Sequence, residues 1–272
     1  MSFDEKFRRA HRGIEWVAIH LPLIRRLYWM GAPKYYKFLI KPEVSNIELP
    51  IDPFELHYVH PERIDRFSGI QGAASDRIST IGSIRSGNWD KSIQALEESL
   101  ITADRLSSTV LFESMRAHFV DEIPWEETKL VKHISESDDP TDSWNGSHTR
   151  DDVLQRCEEI DDLYNRIRNQ GYRTQFDLVQ NKTGIRSVEK SGFLNALVNE
   201  VTVDVGREGT LLLVDGRHRL SIAKILELDV IPVLIVSRHT EWIATLHGDT
   251  DQSIPPDHPD RKYCISVPSS DE

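Results

Sequence analysis

The stretch that most restricts the fold is residues 211–236, LLLVDGRHRLSIAKILELDVIPVLIV. Residues 211–214 form a short, unbroken apolar run of the length of a buried strand. Asp215-Gly216 is a turn pair, after which the period changes. Leu220, Ala223, Ile225, Leu226 and Leu228 recur at helical spacing, with Lys224 and Glu227 on the other side. Residues 231–236 are a second, β-branched run, and Pro232 lies near its start, where a strand tolerates proline. Strand, tight turn, helix and strand therefore fit within about 26 residues.

The turn carries the chemistry. Gly216 lets a ligand approach the backbone closely, and the helix it opens begins with N–H groups that have no intrahelical partner. Those donors and the helix dipole favour an anion. Arg217, His218 and Arg219 add three cation-capable side chains to the same first turn, and the guanidinium fork suits phosphate oxygens. Positive charge there opposes the helix's own field, so an anion is expected to compensate it. The plainer alternative makes Asp215 a helix cap, Arg217 and Arg219 solvated, and His218 packed against a neighbouring strand.

The pattern D-G-R-H-R-L-x-x-A-x-x-L followed by I-P-V resembles the signature of the ParB/sulfiredoxin-like superfamily, most strongly over residues 200–236 and weakly back to about residue 47. The resemblance implies an α+β fold, a small mixed sheet with helices, and a nucleotide-phosphate site on the turn: Gly216, Arg217, His218 and Arg219. ATP, ADP or CTP is the implied cofactor, with Mg²⁺ held through phosphates and one carboxylate. Sulfiredoxins place a cysteine immediately before the His-Arg pair, where this chain has Arg217, so sulfinic acid reduction is excluded. Partition proteins of the family carry a basic helix-turn-helix domain after the nucleotide site, whereas the residues after 236 are acidic and proline-rich. The nearest branch is the free serine kinase type, with D-G-x-H-R matched by Asp215, Gly216, His218 and Arg219. It implies phosphate transfer to a small hydroxyl acceptor, with Asp52, Asp215 and His218 as candidate catalytic groups. Glu55 and His57 are further candidates for the base near the first strand. A nucleotide-binding regulator or adaptor without turnover is the alternative.

Charge divides the chain. Residues 1–41 hold nine basic residues against three acidic ones, giving +6 and leaving −17 for the rest of a chain whose net charge is −11. That balance argues against sequence-independent nucleic-acid binding, which needs a basic footprint. The basic segment, with Trp16, Trp29, Tyr35 and Tyr36, admits two readings. It packs its apolar stripe on the main body, or it makes a peripheral contact with an anionic membrane or a protein. No run is long and apolar enough to span a bilayer. Cys157 and Cys264 are far apart and lack metal-site spacing, so a reducing cytoplasm is the expected setting. His57 and His60 are close, but no second pair completes a metal site.

The expected organisation is a basic helical segment at 1–42, the main domain at 43–245 with a helical insertion at about 54–150, and an acidic, proline-rich tail at 246–272 with little fixed order. Residues 47–52 read as the first strand. Trp89, in a Gly-flanked loop, either stacks on a base or locks that loop against the body. Residues 151–169 show the clearest helical stripe and acidic residues in its first half. Residues 176–180 read as a strand, and 201–205 pairs with 211–214 as a hairpin. His239 emerges at a strand end, placed either to assist at the phosphate or to serve a structural role.

Overall fold

The computed structural model describes residues 22–70, 78–91, 105–136, 144, 147, 149–180, 192–248 and 254–264. Expectations that fall on residues 1–21, and on the parts of the expected helical insertion at 71–77, 92–104 and 137–143, lie outside these.

The protein is an α+β structure on one mixed six-stranded sheet. The strands are β1 (Leu56–Val59), β2 (Arg66–Phe67), β3 (Ser83–Arg85), β4 (Val201–Val205), β5 (Leu211–Asp215) and β6 (Ile231–His239). They lie in the order β1-β6-β4-β5-β2, and β3 pairs with the far end of β6. β4 and β6 are parallel and central, and every residue of both is buried. A strand buried on both faces reads as a continuous apolar run, which is how β6 was legible. β4 alternates in sequence because it buries Thr202 and Asp204 as well.

Helices cover both faces. Ile231, Val233 and Ile235 of β6 join Val201, Val203 and Val205 of β4 in the larger core. That core takes in α2 (Val110–Phe119), α3 (Lys129–Glu136), α4 (Arg150–Gln170), α7 (Arg217–Ile225) and α8 (Thr240–His247). Leu234 and Val236 point the other way, into a second core with α1 (Pro22–Ile40), α5 (Gln175–Gln180) and α6 (Phe193–Val198). On α1, Trp29, Ala32 and Tyr36 form the buried stripe; Trp29 meets Phe176 edge-on at 4.6 Å, and Tyr36 stacks on Phe193 at 5.7 Å. The described part of the basic N-terminal segment is therefore integral to the fold.

Strand registers define two edges of the sheet. Asp215 pairs with Thr202, Val201 with Val233, and Val59 with Ile231, so the turn at Gly216 lies where β6 begins. Val205 pairs with Leu211 and Arg85 with His239, so the β4–β5 hairpin turn and β3 lie where β6 ends. Asp52, which precedes β1, also belongs to that second edge, because β1 runs antiparallel to β6.

Four expectations need correction. The segment at 54–150 is not purely helical, since β1, β2 and β3 come from it; its helices are α2 and α3. Residues 47–52 form no strand: Pro50 and Pro53 lack ladder donors, and the Asp52 carboxylate accepts the Phe54 N–H at 3.1 Å. Residues 176–180 belong to helix α5, because Thr174 accepts from the Asp177 N–H at 3.0 Å and its hydroxyl donates to the Asp177 carboxylate at 2.8 Å. Within the tail, residues 254–264 are placed, with His258, Asp260 and Tyr263 buried.

Candidate functional site

The site at the Gly216 edge begins with a backbone requirement. Gly216 caps α7 at φ +92°, and a Cβ there would lie 2.8 Å from the Val201 backbone. Only glycine fits both the conformation and the space. α7 thereby starts against the mouth of β4, and its first turn opens on a cavity of about 300 Å³, near the lower end of ligand-pocket sizes. Asp215, Gly216, Arg217, His218 and Arg219 line it, together with Arg166 of α4, Gln175 and Leu178 of α5, and Glu200.

The three cation-capable residues have separate fates. Arg219 is half-buried and donates to Glu200 Oε2 at 3.0 Å, while the other oxygen of Glu200 accepts the Gln175 N–H at 2.5 Å. Burial raises the Glu200 pKa, opposed by Arg219 and by the Gln175 bond. Arg219 therefore neutralises a protein carboxylate. His218 is neutral: burial, with Arg217, Arg156 and Arg219 nearby, lowers its pKa to about 3. Its ring meets Trp144 edge-on at 5.6 Å, and its Nε2 is buried with no hydrogen-bond partner among the described residues. The Tyr172 hydroxyl is in the same condition, pushed up to about 12 by burial. Arg217 and Arg166 also line the cavity, so three arginines and the carboxylates of Glu200 and Asp215 surround it. The expectation of three cations on one turn is thus corrected to a smaller excess, one arginine of which comes from α4.

The other candidates lie at the opposite edge. His239 accepts the Glu241 N–H on Nδ1 at 3.1 Å, so its Nε2–H donates to the Gly87 carbonyl at 2.9 Å; it caps α8. Trp89 lies against the His239 ring at 5.6 Å, and Gly69 N–H donates to its carbonyl at 3.1 Å. These contacts tie its loop to the body, at the end of β6 away from the Gly216 turn. Asp52, at the same edge, is likewise not brought to the turn. Glu55 accepts from Lys262 and from the Tyr263 hydroxyl, and His57 is lowered to about 4 by burial and by Arg238.

Arg207, in the hairpin turn, holds that edge closed. Its guanidinium donates to both oxygens of Asp90 at 2.7 and 2.9 Å, to the Gly87 carbonyl at 2.7 Å and to Asn88 Oδ1 at 3.1 Å. These bonds hold the Asp90 carboxyl down to about 2. Buried Arg238 donates to both oxygens of Asp260 at 2.7 and 2.9 Å, and Trp242 Nε1 adds a bond at 2.9 Å. Burial alone would raise the Asp260 carboxyl, but Arg238 overrides it and the pKa falls to about 2. Sequence reasoning passed over Glu200, Tyr172, Arg166 and Asp260. Of these only Arg166 carries a signal, a basic residue on a helix whose apolar stripe was already clear.

Among the described residues, no group of three or more His, Cys, Asp or Glu side chains is placed to hold a metal ion. Fold and site together define an α+β protein with a cation-lined cavity at the start of a helix. No family model, curated protein or solved structure matches the chain.

Proposed function

We propose that the Gly216 turn binds the phosphates of a nucleotide, in keeping with the chain's resemblance to ParB/sulfiredoxin-like proteins. The cavity at the start of α7 carries this reading, because it brings the first-turn N–H groups, which have no intrahelical acceptor, together with Arg217 and Arg166 around one space large enough for a guest. Asp215 lines the same cavity, so a Mg²⁺ ion bridging phosphate oxygens would find one carboxylate there. Phosphate transfer to a small hydroxyl acceptor would fall to Asp215 as base, since Asp215 lines the cavity and Asp52 belongs to the other edge. A cytoplasmic setting accords with two free thiols.

Calorimetric titration with ATP, ADP and CTP, with and without Mg²⁺, tests the binding. Arg217→Ala is expected to weaken it at least tenfold, the scale of one charge-assisted contact. Equal affinity in that variant, or no binding of any of the three, would overturn the reading. The scarcity of available carboxylates favours a second reading, a nucleotide-binding regulator without turnover. Phosphate release or transfer by the wild type, lost in Asp215→Asn with binding retained, would decide for the enzyme.

A further inference from the structure

Helix α1 has two faces with different tasks. Trp29, Ala32 and Tyr36 bury one face in the second core. The opposite face carries Leu27, Met30, Lys34 and Phe38, which the helical period brings into one stripe. Leu27 is 69 % exposed, Met30 70 % and Phe38 78 %, a large share of the big apolar side chains that the described residues leave to solvent. Lys37 and Lys41 flank the stripe, both exposed. Pro22–Ile40 contains four basic residues and no acidic one, in a chain of net charge −11.

From this we infer that the outer face of α1 is a docking surface for an anionic lipid bilayer, on which the protein lies peripherally. The choice of occupant rests on charge. A purely apolar stripe would suit a second copy or a partner helix, but lysines interleaved with large apolar residues suit lipid tails and headgroups together. A second copy of this chain docked face to face is a poor match, because the apposed stripes would set lysine against lysine. No helix among the described residues is long and apolar enough to cross a membrane. The stripe instead lies in the interface, with Leu27, Met30 and Phe38 at the level of the acyl chains and the lysines among the headgroups. α1 is held to the body by its aromatic face, so docking requires no unfolding. The inference is independent of the nucleotide reading, because the two surfaces share no residue.

Flotation of the full-length chain with vesicles provides the test, comparing phosphatidylcholine alone with phosphatidylcholine containing about a third phosphatidylglycerol. Binding is expected only to the anionic vesicles and should weaken as salt is raised. Each lysine near the surface contributes about fivefold, so Lys34→Glu with Lys37→Glu is expected to lower affinity by at least ~25-fold. Met30→Ser with Phe38→Ser should abolish flotation while leaving the thermal midpoint unchanged, because both side chains already face water. Failure of the wild type to float with anionic vesicles at low salt overturns the inference. So does equal flotation of the charge-reversed chain. A concentration-dependent dimer that the serine variant loses would overturn it in favour of a second copy.

Discussion

Each edge of the sheet holds an arginine–carboxylate pair withdrawn from water, yet the two pairs are finished differently. At the hairpin edge Arg238, Asp260 and Trp242 close on one another, and Arg207 binds Asp90 and the loop at 87–88. Among the described residues, Arg238 Nη1 is a buried side-chain donor there without a partner. At the Gly216 edge the Arg219–Glu200 pair sits beside two buried groups without partners, Tyr172 Oη and His218 Nε2, and beside a cavity. Buried polar groups are ordinarily hydrogen-bonded, so an unfinished set beside open space is the better mark of a binding site. Residue type alone does not distinguish the two edges, since each carries arginines beside carboxylates, whereas the state of the groups around those pairs does.

Breaking the finished pair should have the largest effect. Asp260→Ala leaves Arg238 charged and buried, and loss of one partner of such a pair costs about 3–5 kcal/mol. For a chain of this size that is a fall in the thermal midpoint of roughly 10 °C. A shift within ~2 °C would mean that the hairpin edge is not held as described. Arg219→Ala should cost somewhat less, about 3 kcal/mol near neutral pH, because Glu200 has an escape that Arg238 lacks. A carboxyl can take up a proton, and the Glu200 pKa is already raised by burial. Without Arg219 it rises further above its unfolded value, so the variant is least impaired at low pH and loses stability as pH increases through the folded value. The Asp260→Ala deficit, by contrast, should be nearly flat with pH. Unfolding both variants at pH 5 and pH 8 would show the difference; parallel deficits would refute it.

Asp204 gives a third, smaller effect. It is buried between the edges and accepts from neutral donors, Ser68 Oγ at 2.5 Å and the Ser237 N–H at 3.0 Å. Burial pushes its pKa up to about 6, above the ordinary value of 3.8. The folded state therefore binds the extra proton. Its contribution is fully present below the unfolded value and is lost as pH rises through about 6. Asp204→Asn keeps the shape and loses the titration, so it should gain on the wild type by ~2 kcal/mol between pH 4.5 and 7.5. A constant difference across that range would show that Asp204 does not titrate there.

What could be read in advance followed from local rules. The 211–236 unit, α4 and the β4–β5 hairpin each announce themselves through periodicity and turn residues within a short window. The α5 misreading shows the limit of periodicity, since an apolar pentamer fits either state and the Thr174–Asp177 cap decides it. The site was legible only as far as its backbone: Gly216 stands where expected, but its neighbours do not all serve it. Arg238 meets Asp260 and Arg219 meets Glu200 through the fold, across 22 and 19 residues, and no spacing rule foretells such pairs. Asp52, Trp89 and His239 look functional in sequence because polar residues at strand ends often are. Strand direction sends them to the other edge.

The effect that depends on ligand separates the edges most directly. If the Gly216 cavity binds a nucleotide and the unfolded chain does not, ligand at a hundredfold excess over its dissociation constant adds about 2.7 kcal/mol of apparent stability, and less at lower excess. Arg207 and Arg217 make a matched pair for this measurement, since each is an arginine at a strand–turn junction beside β5. Arg207→Ala loosens the loop at 87–90 and should lower the thermal midpoint without ligand, yet the ligand-induced increment should survive whole, because Arg207 belongs to the far edge. Arg217→Ala should erase most of the increment, whatever its effect on the midpoint without ligand. The two variants thus differ in the ligand-induced increment itself. An increment that falls equally in both would mean that the edges are coupled, and one that disappears only in Arg207→Ala would move the binding site to the hairpin.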